Sequence, residues 1–297
     1  MTHKLDPTVT QLSLFDGGMS YAVRLTDGSF IMIDGGMAGS DYEYNANALT
    51  EFFADECGNE KPVIAAWMIT HFHLDHVDMA ARYLSEHTSG LDIKAFIYNH
   101  HGNPTDSETI IRINAWDRAM SLFPNAEKKI ITTGETIRFP GVDIKILLTE
   151  QDRFPITPSD TTTNPNRISS AMRFIFDTGH TFTVLGDCDE ARILSVINPE
   201  NSYYQSPESL TTDVLQVAHH GFPVCGKQDI DALRDLYQTM HPHYALFSAN
   251  EYDYLNDKRY SSDFYSCNRY LLEAEDITCL HHGTTHTINM RTLELVR

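Results

Sequence analysis

The run MITHFHLDHVD at residues 68–78 sets His71, His73, Asp75, His76 and Asp78 close together behind a short apolar segment. Imidazoles and carboxylates crowded in this way are costly to bury without partners. A metal ion is the partner such a donor set fits. His71 and His73 are two apart, so on extended backbone their side chains leave one face and reach one ion. Asp75 and His76, a turn later, are placed for a second. Nitrogen and oxygen donors suit zinc first and also admit manganese or iron. One or two divalent ions per chain are therefore expected. A bound ion lowers the pKa of its water enough to supply hydroxide near neutral pH and polarises the bond under attack, which is metal-assisted hydrolysis.

Those residues need a scaffold. PVIAAWMI (62–69) reads as a fully buried strand that delivers the histidine-rich turn at its carboxyl end, and HVDMAARYLSEH (76–87) has Val77, Ala80, Ala81 and Leu84 at helical spacing. Strand ends of this kind are where open α/β layers hold ligands. Upstream, QLSLF (11–15), YAVRL (21–25) and FIMID (30–34) are separated by Asp16-Gly17-Gly18 and Asp27-Gly28, which predicts an antiparallel meander, followed by a helix over 42–56. Downstream come a strand at 93–99, a helix over 107–123, strands at 128–132, 135–139 and 142–148, and a loop over 150–167 rich in Pro, Thr, Asp and Asn. Strands at 171–176 and 182–187 follow, then VLQVAHHG (214–221), a helix at 227–239, YALFS (244–248), a helix at 261–274, and strands at 277–280 and 285–290. A meander followed by alternation recurs loosely in the two halves. The expected fold class is α/β, a four-layer αββα sandwich of two mixed sheets with helices on the outer faces, and residues 1–297 are expected to form a single domain.

The H-x-H-x-D-H pattern of His71, His73, Asp75 and His76 resembles the signature of the metallo-β-lactamase superfamily, and the likeness runs along nearly the whole chain. Asp34-Gly35-Gly36 is similar to the family's upstream D-G-G turn, and Asp187, after FTVLG, to its bridging aspartate. His219-His220-Gly221 resembles the H-H-G motif of the branch that contains the hydrolase domain of ComEC and phosphorylcholine esterase. The resemblance implies His71, His73, Asp75, His76, Asp187 and His220 as metal ligands. It implies Asp75 and His219 as catalytic residues, Asp75 orienting the nucleophile and His219 facing the substrate. Many members add a histidine upstream of the bridging aspartate, where this chain has NPNRISSAMRF (164–174). Asn166 with Ser169 or Ser170 resembles the same branch, which lacks that ligand. The first site would then rest on His71, His73 and Asp187.

A phosphodiester in a small molecule or short oligomer is the substrate the branch implies, with a carboxylic ester, lactone, thioester or β-lactam as the alternative, and a non-catalytic metal-binding module as a third reading. Diiron members reduce oxygen or nitric oxide with a flavin domain; neither a flavin-binding segment after residue 297 nor a redox role is expected. His281 and His282 are expected to be structural. Asp78 is expected at the helix start or orienting a ligand imidazole. His100 and His101, and the tyrosines Tyr252, Tyr254 and Tyr260, could rim the pocket or belong to surface loops.

The formal net charge of -19 disfavours a grip on long nucleic acid, which draws on lysine and arginine neutralising phosphates. The five cysteines, Cys57, Cys188, Cys225, Cys267 and Cys279, are scattered and odd in number, as for reduced thiols. No apolar run approaches the roughly eighteen residues of a membrane span, and MTHKLDPTVTQ has no apolar leader. No membrane association is expected, and the expected location is the cytoplasm. Oligomeric state leaves no mark on the sequence.

Overall fold

The computed structural model describes residues 4–14, 18–39, 41–99, 104, 107–149, 165–188, 196, 204–222, 227–250 and 261–297. His100, His101, Tyr252, Tyr254, Tyr260 and the 150–164 part of the loop expected over 150–167 lie outside them.

The first sheet is built from β1 (Thr8–Gln11), β2 (Ser20–Arg24), β3 (Phe30–Asp34), β4 (Val63–Ile69), β5 (Asp92–Ile93), β6 (Ala95–Tyr98), β7 (Glu127–Ile130) and β15 (His286–Asn289), in the order β15-β1-β2-β3-β4-β6-β7 with β5 beside β4. The second contains β8 (Thr136–Phe139), β9 (Val142–Leu148), β10 (Ala171–Phe176), β11 (Thr181–Val184), β12 (Val214–Gln216), β13 (Tyr244–Asn250) and β14 (Thr278–His282), in the order β14-β13-β12-β11-β10-β9-β8. Both sheets are mixed. β1, β2 and β3 pair antiparallel and β3 with β4 parallel; likewise β8 to β11 pair antiparallel and β11 to β14 parallel.

Alternation along the strands sorts the side chains into layers. On β3, Ile31 and Ile33 join Ile144, Phe174, Phe182 and Val184 in the core between the sheets, whereas Phe30 and Met32 pack outward. The outward face meets helices α1 (Tyr42–Cys57), α2 (Leu74–Glu86) and α3 (Ser107–Ser121), through Leu49, Phe53, Leu84 and Trp116. Across the molecule, Leu215, Ala245 and Phe247 pack on Leu233, Leu236 and Leu271 of α4 (Lys227–Met240) and α5 (Ser261–Glu273). This is the αββα sandwich read from the sequence, with β4 apolar on both faces because each is covered. None of the described helices is long and apolar enough to cross a membrane.

The strand expected at 11–15 is displaced: β1 spans Thr8–Gln11, paired with β2 and β15. Leu12 and Leu14 do share one buried face, which is what their alternation reported. The backbone there leaves the ladder, and the Leu14 N–H donates to the His282 ring at Nε2, 2.9 Å away.

His282 is 5% exposed, takes the Leu14 N–H on its ring, and titrates abnormally. Burial pushes its pKa down to about 4, assisted by the nearby His220 and His286 and opposed by a contact with the Leu12 carbonyl. Because this lies below the unfolded value of about 6.5, the unfolded chain takes the proton first. The contribution, roughly 3 kcal/mol, is complete above about pH 6.5 and is lost as pH falls toward 4. His282→Gln keeps an acceptor for Leu14 without a titrating ring. Urea unfolding at pH 7.5, 6, 5 and 4 should show a shallower acid limb for the variant than for the wild type.

Candidate metal centre

Three chain segments meet at the carboxyl ends of β4, β11 and β12. β4 ends at Ile69, Thr70 bends the chain, and His71 and His73 precede α2. Asp75 and His76 fall in the first turn of that helix, which starts at Leu74, two residues earlier than the apolar spacing shows. Asp187 follows β11 through Gly186, and His219 and His220 follow β12.

Gly186 has φ +56, and a Cβ there would stand 2.3 Å from the Ser169 hydroxyl, so only glycine lets the Asp187 turn approach. His219 and His220 take the left-handed conformation as well, with φ 50 and 57. A side chain in that region costs on the order of 1–3 kcal/mol and persists only where surroundings over-determine it. They do here: His219 N–H donates to Gly186 O (2.9 Å), Phe222 N–H to His219 O (2.7 Å), and the Asn268 amide on α5 to Gly221 O (2.6 Å).

Two donor groups result. Asp75, His76, Asp187 and His220 each offer a ligand atom within 4.8 Å of the others, and so do His71, His73 and Asp187. Asp187 is common to both. Its carboxylate lies 3.2 Å from His76 Nε2, 3.7 Å from His71 Nε2, 3.7 Å from His220 Nε2 and 3.8 Å from His219 Nε2. Asp75 stands 3.1 Å from His220 Nε2 and 3.9 Å from His76 Nε2. His220, and not His219, belongs to the four-membered group. Asn166 and Ser169, upstream of Asp187, stand beside the cluster in place of a further imidazole: Asn166 Nδ2 is 3.3 Å from His219 Nε2, and Ser169 Oγ is 3.5 Å from His71 Nδ1 and accepts from the Asp187 N–H at 3.0 Å.

The atoms that face inward fit a cation. His71 Nε2, His76 Nε2, His220 Nε2 and Asp187 Oδ1 are buried with no hydrogen-bond partner among the described residues. Buried polar atoms normally have one, and their concentration in one spot calls for a missing ligand. Donors around a tetrahedral zinc at bonds of about 2.1 Å sit about 3.4 Å apart, close to the separations here. The cluster is thus able to hold divalent metal.

The opposite ring nitrogens are tied down. Asp34 Oδ2 is 2.8 Å from His76 Nδ1, so that imidazole carries its proton there and turns Nε2 inward. Asp34 also accepts from the Thr70 N–H (2.8 Å) and hydroxyl (2.7 Å). His220 Nδ1 donates to Ser248 O at 3.1 Å. Such outer partners fix tautomer and ring orientation in metal sites. Gly35 makes the Asp34 contact possible, since a Cβ there would stand 2.3 Å from the Ala80 methyl of α2. The carboxylate orienting an imidazole is therefore Asp34. Asp78 faces Arg112 Nε of α3 at 3.6 Å instead, because the helical turn carries it away from the cluster.

Without a cation, the cluster stores protons. Burial alone would lower the His220 pKa, but the Asp187 and Asp75 carboxylates outweigh it and push it up to about 10. His76 is likewise raised well above the usual range against burial, by Asp187, Asp34 and Asp75. Burial holds His71 well below its ordinary value, with protonated His76 adding to it, and also lowers His73 and His219. Burial raises Asp187 and Asp75, yet the neighbouring imidazoles, His76 foremost, hold both below the usual carboxylate range. The fixed negative charge is thus matched by whatever cations enter, protons or metal.

The D-G-G spelling marked Asp34 as a turn, not as the partner of His76. Gln216 was missed altogether, although a lone amide inside the apolar run VLQVA was its signal.

No family model matches the sequence, and no curated protein does. Solved structures of similar fold include the metallo-β-lactamase fold protein YhfI from Bacillus subtilis, with TM-score 0.53 and 13% identity over 95% of this chain and 100% of that one. Unliganded yeast PDE1 gives TM-score 0.57 and 12% identity over 95% of this chain and 99% of that one. CmlA, a diiron β-hydroxylase from Streptomyces venezuelae, gives TM-score 0.53 and 10% identity over 96% of this chain and 54% of that one. The chain is an α/β protein of the metallo-β-lactamase fold. At the strand ends it carries a histidine and aspartate cluster able to bind metal.

Proposed function

We propose that this protein is a metal-dependent hydrolase, zinc being the favoured ion, and that its substrate is a phosphodiester in a small molecule or short oligomer. The observation that carries the reading is Asp187, one buried carboxylate shared by two converging donor groups, several of whose inward atoms have no hydrogen-bond partner among the described residues. His71, His73 and Asp187 would hold one ion, and Asp75, His76, Asp187 and His220 the other. When bound, such a pair activates water and clamps both oxygens of an in-line displacement at phosphorus. The likeness of His71–His76, Asp187 and His219–Gly221 to the phosphorylcholine esterase branch supports the phosphodiester, and remains our proposal.

The chain's own groups divide the work. Asp75 is 28% exposed at its side chain, whereas Asp187 is 1% exposed. It is the carboxylate positioned between the cluster and solvent, where it orients the attacking water. His219, 24% exposed, sits at the opening beside Asn166. Burial lowers its pKa, so the imidazole is neutral, and as the Nε2–H tautomer it would donate a hydrogen bond to charge developing on the substrate. A reducing, cytoplasmic setting is part of this proposal.

One specific feature favours a second reading. The first donor group has three members, so it could bind its ion weakly, and the same site could serve a carboxylic ester, lactone, thioester or β-lactam, or bind metal without catalysis. Zinc-loaded protein is expected to cleave bis-(p-nitrophenyl) phosphate, to stop on chelation, and to lose about 10²-fold in kcat as Asp75→Ala. Turnover of nitrocefin or acyl thioesters alone would move the substrate class, and no turnover of any of these by protein holding zinc would leave the binding module.

A further inference from the structure

The two strands that carry Asp187 and the His219-His220 pair run parallel and then separate. β11 and β12 pair as far as Val184 opposite Gln216, and beyond that point the backbones diverge to admit the donor side chains to the cleft. Divergence leaves backbone groups of both strands buried and out of reach of one another. Each would be costly to leave unmade.

Gln216, fully buried, answers them with one side chain. Its Oε1 accepts from Leu185 N–H at 2.8 Å and from Gly186 N–H at 2.7 Å, while its Nε2 donates to Gly186 O at 3.2 Å and to Val217 O at 2.6 Å. A glutamine amide has two acceptor sites and two N–H donors, and all are in use. Gly186 O also receives the His219 N–H at 2.9 Å, so the turn before Asp187 and the left-handed histidine turn are tied to each other through that carbonyl.

We propose that Gln216 is a positioning residue for the metal centre, setting the Asp187 carboxylate at a fixed distance from His219 and His220. The role is distinct from filling the core. Every group it binds belongs to the backbone one to three residues before a donor residue, and Asp187 is shared by both donor groups, so a shift of one turn detunes both. The proposal rests on the metal-centre reading above.

Gln216→Glu keeps length and volume and still accepts from Leu185 and Gly186, but it places a carboxylate oxygen against the Gly186 and Val217 carbonyls. Gln216→Asn keeps the amide one methylene shorter. Both are compared with wild type and with Leu49→Ala, whose site on α1 lies across the first sheet from the strands in question. Zinc affinity by competition with a fluorescent chelator, and the visible spectrum of the cobalt-substituted protein, are the readouts. Both Gln216 variants are expected to weaken zinc binding about 10–100-fold, as loss of outer-shell partners does, and to alter the cobalt spectrum. Leu49→Ala should lower Tm with zinc affinity unchanged. A folded variant, of either kind, with wild-type affinity and an unchanged cobalt spectrum overturns the proposal while the metal reading stands. Wild type that takes up neither zinc nor cobalt overturns the metal reading itself, and this proposal with it.

Discussion

Asp187→Asn should yield a folded protein that loses metal from both donor groups together and retains about 10³-fold less activity on the phosphodiester probe. The carboxylate is shared, with His71, His76, His219 and His220 all within 3.8 Å of it. An amide offers one neutral oxygen where two charged ones stood, so it cannot offset two cations. The fold survives because the clustered imidazoles respond by releasing their protons rather than remaining as unpaired buried charges. The result is read as zinc per chain after dialysis: wild type near two, variant below one. A variant that kept both ions would remove Asp187 from the centre.

Asp34→Ala is expected to act through both stability and binding. Asp34 is fully buried and accepts from Thr70 N–H, Thr70 Oγ1 and His76 Nδ1. Removing it strands those donors, a loss of roughly 3–5 kcal/mol in the range for breaking a buried charged pair. Its φ of 55 adds strain for alanine, which has no side chain to bond locally. Asp34→Asn tolerates that backbone and keeps one acceptor, so it should fold nearly normally. It should still bind zinc about 10–100-fold more weakly, since the His76 tautomer is no longer locked. Urea unfolding of the metal-free proteins separates the two effects. Equal stability loss in both variants, with zinc affinity untouched, would contradict the assignment of Asp34 to His76.

Much of the fold was legible because side-chain periodicity reports sidedness. VDIKILL alternates, FIMID is apolar toward both faces, α2 repeats at helical spacing, and the strand and helix positions agree to within a few residues. At 11–15 the same signal misled. Leu12 and Leu14 are buried on one face, yet the Leu14 N–H is satisfied by a histidine ring some 270 residues away, and no sequence period records where a backbone hydrogen bond goes.

The kind of chemistry was written in the chain itself: imidazole and carboxylate at the spacing of residues 71–76 are costly to bury unless a cation, proton or metal, balances them. The tertiary structure decided which carboxylate would be shared, which ring nitrogens would face inward and what would hold them there. Asp34 reaches His76 only because β3 lies beside β4 and α2 packs against Gly35, and Gln216 closes the gap only where β11 and β12 part. Those contacts join residues distant in sequence through hydrogen bonds of about 3 Å, and that geometry exists only once both sheets have formed.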